Sequence, residues 1–189
     1  MQNHQILFVQ GGGEGSHAED QALATYLKNA VAPEYTLRYP RFSGLENVAY
    51  ATWKDEITDE LQRFGDPGIV VAHSLGGAAV LKYLAEERPD LSLAGLFLIG
   101  TPYKCADGEW GNDDFALPVD FASTLPKIGA IVMYHSEDDE WVPFSHLARW
   151  ADKLPGATSR PFTDRGHSFS ALPFPELIND IRSLRRARA

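Results

Sequence analysis

The chain has 189 residues, of which 44% are hydrophobic and 23% charged, an ordinary composition for a globular protein with a sizeable core. Its formal net charge of −9 argues against a nucleic-acid or anionic-membrane partner, since both require clustered lysine and arginine. Cys105 is the only cysteine, so no intrachain disulfide can form. No apolar run reaches the ~20 residues of a membrane span or resembles a signal peptide. We therefore expect a soluble, cytoplasmic protein with one domain over residues 1–189.

The predicted elements alternate between short apolar runs and longer segments of helical period. In chain order they are strand 6–9, helix 18–30, strand 35–39, helix 48–64, strand 68–72, helix 77–87, strand 94–99, strand 130–134, helix 145–154, strand 158–162 and helix 175–186. The runs GIVVA, LFLIG and AIVMY are typical of strands that are buried on both faces. This alternation predicts an α/β fold, with a mostly parallel sheet of about six strands and helices on both of its faces.

Residues 101–127 interrupt this rhythm, because they show no clear strand and little helical period. A stretch of this length inside a compact domain is usually either functional or disordered. Its large apolar residues argue against disorder: Trp110, Phe115, Leu117 and Phe121. We expect a small cap or lid here, and the alternative is a surface loop that these side chains pin to the core.

Ser74 lies between a buried strand and a helix, in the segment IVVAHSLGG. Ligands of open parallel sheets bind at the carboxyl ends of the strands, which is where this serine falls. Its flanking residues Ala72 and Gly76 give the pattern small-x-Ser-x-Gly, a nucleophile elbow with alanine in place of the usual first glycine. Such a turn also directs the Leu75 N–H and the positive end of the helix toward a ligand. The alternative is an ordinary serine N-cap.

A nucleophilic serine needs a base, and the base needs an orienting acid; in α/β-hydrolases the chain order is Ser, acid, His. Asp138 and Asp139 follow the strand AIVMY, and His167 follows the last strand in TDRGHSF. Asp139 fits the pattern Asp-x-x-Val-Pro, whereas Asp138 is one residue out of step. Either feature alone could be a solvated surface group. Their joint occurrence in this order predicts a catalytic triad of Ser74, Asp139 and His167.

The first loop, VQGGGEGSHAED, supplies the second half of a predicted oxyanion hole. Backbone N–H groups approach a substrate most closely where no Cβ intervenes, so a run of glycines suits this role. Gly12 and Leu75 are the candidate donors, and Gly13 is assigned to substrate binding.

The same loop also fits a different protein class, the dinucleotide-binding oxidoreductases. Gly13, Gly15 and Ala18 match the fingerprint G-x-G-x-x-A. That fingerprint requires an acidic residue at the end of the second strand, but this strand carries Arg38 and Arg41 instead. Because an arginine can bind a 2′-phosphate, this alternative stays open.

The glycine-rich loop and the segments AHSLGG, DDEWVP and DRGHSF together resemble the small α/β-hydrolases of the YdeN-like, retinoblastoma-binding-protein-9-like serine hydrolase family. The resemblance spans essentially the whole chain. It implies an α/β-hydrolase fold with a minimal cap, a triad on Ser74, Asp139 and His167, and carboxylesterase-like hydrolysis of small-molecule esters. Ala72 departs from the family's usual glycine, and the composition of residues 101–127 matches no known pocket of the family.

The sequence says less about the substrate, the partners and the oligomeric state than about the catalytic residues. Trp110 and Phe115 are assigned to substrate binding: one or the other is expected to border the Ser74 pocket and to favour short or medium apolar acyl chains. No metal or cofactor is expected, because the six histidines are scattered without H-x-x-x-H spacing. A non-catalytic binding or scaffold protein on the same fold is a further alternative.

Overall fold

The computed structural model describes residues 4–44, 46–63, 67–87, 89–111 and 113–186. Within these ranges, six strands alternate with five α-helices: β1 His4–Val9, α1 Ser16–Val31, β2 Tyr35–Arg38, α2 Tyr50–Gln62, β3 Gly68–His73, α3 Leu75–Glu87, β4 Leu93–Ile99, β5 Ile131–Ser136, α4 Ser145–Lys153, β6 Thr158–Phe162 and α5 Pro175–Arg186. The predicted elements are confirmed, with ends that agree to within two residues; the predicted end of the second helix at residue 64 lies outside the described residues. Among the described residues, no helix is long and apolar enough to cross a membrane.

The six strands form one parallel sheet in the order β2-β1-β3-β4-β5-β6. From β1 the chain first adds β2 on one side and then returns to add β3 on the other. A crevice opens at such a reversal, at the carboxyl ends of the strands, and ligands of open α/β sheets bind there. The topology therefore brings together the loop that follows β1 and the turn that follows β3.

Successive residues of the inner strands are buried on opposite faces of the sheet. In β1, Ile6 and Phe8 pack with α1 and α5, whereas Leu7 and Val9 pack with α2, α3 and α4. All four side chains are fully buried, and burial of such a side chain stabilises a fold by about 1.5–3 kcal/mol. The predicted helices on both faces are thus confirmed, and they hold the strand ends in fixed positions.

The described part of residues 101–127 is packed against the sheet face that carries α2, α3 and α4. A parallel bridge joins Cys105 to Leu117, and a short 3-10 helix spans Phe121–Ser123. Phe115, Leu117 and Phe121 are buried in the core of this face. The segment is therefore a packed connection, in keeping with a minimal cap.

Candidate active site

Ser74 occupies the turn between β3 and α3 in a left-handed conformation, with φ of 50°. A non-glycine residue seldom adopts this conformation, and a serine N-cap has extended backbone instead, so the turn is not an ordinary cap. The Ser74 N–H donates to the Ile99 carbonyl at 2.8 Å, which ties the turn to the end of β4. Ala72 is fully buried, and a Cβ on Gly76 would lie 2.3 Å from the Gln10 carbonyl oxygen. Gly76 therefore has no room for a side chain, and the other flank of Ser74 carries a small, buried residue.

Three loops bring Ser74, His167 and Asp139 into one chain of hydrogen bonds. His167 Nε2 lies 2.9 Å from Ser74 Oγ, and His167 Nδ1 lies 2.8 Å from Asp139 Oδ2. A carboxylate oxygen accepts, so Nδ1 carries the proton, and Nε2 is left to accept from the Ser74 hydroxyl. These three residues follow β3, β6 and β5 respectively, at the same edge of the sheet.

The environment of Asp139 keeps its carboxylate ionised. Burial alone would raise the pKa of Asp139, but hydrogen bonds from His135, His167 and the Val142 N–H lower it well below its ordinary value. The Trp141 and Val142 N–H groups donate to Oδ1 at 2.9 Å and 2.8 Å, which leaves Oδ2 for the histidines. The side chain is fully buried, so Asp139 presents a fixed negative charge to His167.

The glycine loop after β1 lies directly against the residue that follows Ser74. A Cβ on Gly12 would lie 2.5 Å from Leu75 Cδ2, so the two candidate oxyanion donors are adjacent. Leu75 is the first residue of α3, and the first N–H groups of a helix have no acceptor within it. The Gly11 N–H, by contrast, donates to Asp20 Oδ2 at 2.8 Å and is already engaged.

A cavity of about 470 Å³ opens beside Ser74 and His167. Gly12, Gly13 and Leu75 are among its lining residues, and so is Trp110, as predicted from the sequence. Several other lining residues were not anticipated, among them Pro102, Lys104, Trp141, Asp20 and His73. The cavity thus joins the hydroxyl, the imidazole and the glycine loop to an apolar wall.

The profile of the serine hydrolase family matches residues 36–171 of the chain. The chain belongs to this family. No curated protein matches it in sequence.

Solved structures show how far the likeness of fold extends. The ydeN gene product from B. subtilis has a TM-score of 0.78 at 19% identity, covering 97% of this chain and all of its own (100%). Est1E from Butyrivibrio proteoclasticus has a TM-score of 0.72 at 13% identity, covering 98% of this chain and 88% of that one. The esterase RhEst1 from Rhodococcus sp. has a TM-score of 0.70 at 14% identity, with coverage of 96% and 90%. The fold of this serine hydrolase is therefore the predicted α/β-hydrolase fold.

The expected position of Phe115 requires a correction. Phe115 is buried and absent from the lining of the cavity; its ring meets Tyr50 and Trp53 edge-on, at centroid distances of 5.7 Å and 6.0 Å. Tyr50 and Trp53 belong to α2, so Phe115 packs on this helix. Phe115 is thus a core residue, and its assignment to substrate binding is withdrawn.

Two of the features that suggested a dinucleotide site, Arg38 and Gly15, have other roles in the structure. Arg38, the candidate ligand of a 2′-phosphate, forms an ion pair with Glu60 through Nε and Oε2, which lie 2.7 Å apart. Gly15 is the N-cap of α1 with φ of 86°, so its glycine is explained by the start of this helix. The family assignment favours the hydrolase.

Two residues near the acid have contacts that the sequence did not reveal. His135 Nε2 lies 3.2 Å from Asp139 Oδ2 and 3.0 Å from the Val142 carbonyl, so it helps to hold the acid turn. Asp138 accepts hydrogen bonds from Ser136 Oγ at 2.5 Å and from the Gly166 N–H at 2.8 Å. Its carboxylate contacts the backbone before His167, not the ring. A histidine at the end of a buried strand was the available signal for His135, but its partners depend on the fold of the turn.

Proposed function

We propose that the protein hydrolyses small acyl esters through an acyl-enzyme on Ser74. The observation that carries this proposal is the unbroken chain of hydrogen bonds from Ser74 Oγ through His167 to the buried carboxylate of Asp139. A serine hydroxyl becomes nucleophilic when a base can take its proton and an acid orients that base. The membership of the chain in the serine hydrolase family supports the same chemistry.

Acylation begins when Ser74 Oγ attacks the ester carbonyl carbon while His167 Nε2 takes the hydroxyl proton. The carbonyl oxygen becomes an oxyanion, to which the Gly12 and Leu75 N–H groups donate hydrogen bonds. The tetrahedral intermediate then collapses, its bond to the leaving oxygen breaks, and His167 gives its proton to that oxygen. An alcohol departs, and the acyl group remains on Ser74.

Deacylation repeats these steps with water as the nucleophile. His167 takes a proton from the water as its oxygen attacks the acyl carbon, and the same N–H groups bind the second oxyanion. The bond to Ser74 Oγ breaks, and His167 returns the proton to this oxygen. Asp139 remains ionised throughout and stabilises the imidazolium, because its pKa is held far below neutrality.

The cavity supports a small substrate with an apolar acyl group. Its volume of about 470 Å³ lies within the usual range for small-molecule sites, about 300–1,000 Å³. Trp110, Trp141 and Pro102 supply apolar lining next to Ser74. We therefore propose short or medium acyl chains, with Trp110 bordering the acyl group.

The test combines covalent labelling with hydrolysis of p-nitrophenyl esters of graded chain length. A fluorophosphonate should label the wild-type protein at Ser74, as read by peptide mass spectrometry. Ser74→Ala should lose labelling and lower kcat by up to about 10⁶-fold while the protein stays folded. Ser183→Ala, which removes an exposed hydroxyl on α5, is the matched control and should keep both activities. A wild-type protein that neither reacts nor hydrolyses any ester would instead be a binding or scaffold protein.

A further inference from the structure

A second carboxylate–histidine pair lies beside Ser74 and has no part in the proposed mechanism. Asp20 Oδ1, on the first turns of α1, lies 2.7 Å from Nδ1 of His73, the last residue of β3. Both side chains are buried, with exposures of 1% and 6%. The geometry is not that of a linear hydrogen bond, so the contact is a close approach of two ionisable groups. Buried ionisable groups are costly unless they are paired, which makes this placement informative.

The remaining polar atoms of Asp20 and His73 form hydrogen bonds to the loop after β1 and to the loop that carries His167. Asp20 Oδ2 accepts from the Gly11 N–H at 2.8 Å, and Gly11 directly precedes the proposed donor Gly12. His73 Nε2 donates to the backbone carbonyl of His167 at 3.0 Å. The His73 ring also lies beside the His167 ring, with centroids 4.9 Å apart. A continuous polar path therefore connects the oxyanion loop to the backbone of the proposed base.

The contacts also fix where the protons lie. A carbonyl oxygen can only accept, so His73 Nε2 must carry a proton. Nδ1 and Asp20 Oδ1 are only 2.7 Å apart in a buried site, and two unprotonated acceptor atoms would repel each other there, so this contact calls for a proton on one of the two groups. Burial lowers the pKa of His73, but the charge of Asp20 and the contacts with Asp20 and the His167 carbonyl raise it more, so the net shift is upward. This direction favours the charged form of the imidazole.

We propose that Asp20 and His73 form a buried ion pair that positions the Gly11–Gly13 loop and His167 relative to each other. The inference rests on the proposed function, since it assigns the pair to the same reaction. The oxyanion donors and the base must meet one tetrahedral centre at the same moment, and a misplacement of about 1 Å can lower the rate about 100-fold. Neither Asp20 nor His73 takes part in proton transfer with the substrate, so both are positioning residues.

Asp20→Asn and His73→Gln test the pair, alone and combined. Each single variant should lower kcat for p-nitrophenyl acetate about 10- to 100-fold, with KM little changed, and should slow fluorophosphonate labelling of Ser74 in parallel. The double variant should be no slower than the slower single variant, because either change already breaks the connection. Multiplicative losses in the double variant would overturn the proposed coupling.

Glu60→Gln is the matched control, since Glu60 is a buried carboxylate that pairs with arginines and lies outside the cavity lining. It should lower the Tm and leave kcat unchanged. If Asp20→Asn also lowers only the Tm, the pair is merely structural and the proposal is overturned. If the wild-type protein is neither labelled nor active, the proposed function is wrong, and the inference that rests on it is wrong as well.

A measurement on the wild-type protein keeps the proposal testable should the variants fail to fold. In the ¹⁵N NMR spectrum of histidine-labelled protein at neutral pH, both ring nitrogens of His73 should be protonated. A neutral His73 ring would overturn the ion pair.

Discussion

The contact between Gly76 and Gln10 allows the effect of one methyl group to be predicted. Gly76 lies two residues after Ser74 on the first turn of α3, and its Cα faces the end of β1. In Gly76→Ala, the new Cβ would lie 2.3 Å from the Gln10 carbonyl oxygen and 2.9 Å from Val9 Cγ1. The first of these atoms belongs to the backbone, so no rotation of a side chain relieves the clash.

The displacement that follows can be worked out from these distances. Ordinary contact begins near 3.4 Å, so the two backbone segments must separate by about 1.1 Å. This shift moves Ser74 relative to the loop that begins at Gly11. A misplacement of about 1 Å can lower the rate about 100-fold, and overpacking typically destabilises by about 1–3 kcal/mol. At about 2–4 °C per kcal/mol for a chain of this size, the Tm should fall by about 2–12 °C.

The assay is kcat/KM for p-nitrophenyl acetate, measured with the Tm of the same preparation. Gly156→Ala is the control, because nothing lies within 4 Å of its added Cβ, and it should keep activity and stability. Gly76→Ala should remain folded with kcat/KM lowered about 100-fold. Wild-type kcat/KM in a folded Gly76→Ala protein would refute the argument that close contact at this turn sets the catalytic geometry.

Three further predictions concern the acid, the pocket and pH. Asp139→Asn should lower kcat about 10⁴-fold. Asp138→Asn should lower kcat far less, because the Asp138 carboxylate does not contact the His167 ring. A larger loss of kcat in Asp138→Asn than in Asp139→Asn would contradict this assignment. Trp110→Ala should change the preferred acyl-chain length, and an unchanged preference would show that Trp110 does not border the acyl group. Phe115→Ala should keep the wild-type preference and lower the free energy of unfolding by about 3–5 kcal/mol. Between pH 5 and pH 8 the Asp139 carboxylate should stay ionised, because its pKa is held well below its ordinary value, so no limb of the pH–rate profile in this range should come from the acid. A limb that coincides with protonation of Asp139, as read by ¹³C NMR of aspartate-labelled protein, would contradict this.

The fold could be predicted because its local signals agree with one another. Continuous apolar runs such as residues 69–72 are typical of strands that are buried on both faces, and β3 is indeed buried throughout. Residues 101–127 were harder, because their structure depends on one long-range bridge and on buried aromatics, not on any period. Phe115 and Trp110 are only five residues apart, and nothing in the sequence states which of them faces the core.

The candidate site shows the same division between local and distant contacts. Ser74, Asp139 and His167 each carry a motif, because each depends on a turn of a few residues with its own sequence pattern. Asp20 carries none: it reaches His73 only through the packing of α1 beside β3. Sequence patterns therefore predict residues whose roles depend on a single turn. They do not predict residues whose roles depend on contact between two separate elements of the fold.

The order of the strands places Ser74 and Asp139 on either side of β4, and Gly100 at the end of β4 leaves room for His167 between them. Ser74 follows β3 and Asp139 follows β5, but β4 lies between these strands, so about two strand spacings, roughly 10 Å, separate their ends. His167 must reach across the end of β4 to bind both. The residue at that end is Gly100, with φ of 53°, and a Cβ there would lie 3.3 Å from His167 Nδ1 and 3.4 Å from Asp139 Oδ2. Both the backbone conformation and the space thus favour glycine. The parallel sheet supplies the spacing, and this position after β4 leaves room for the hydrogen bond between Asp139 and His167.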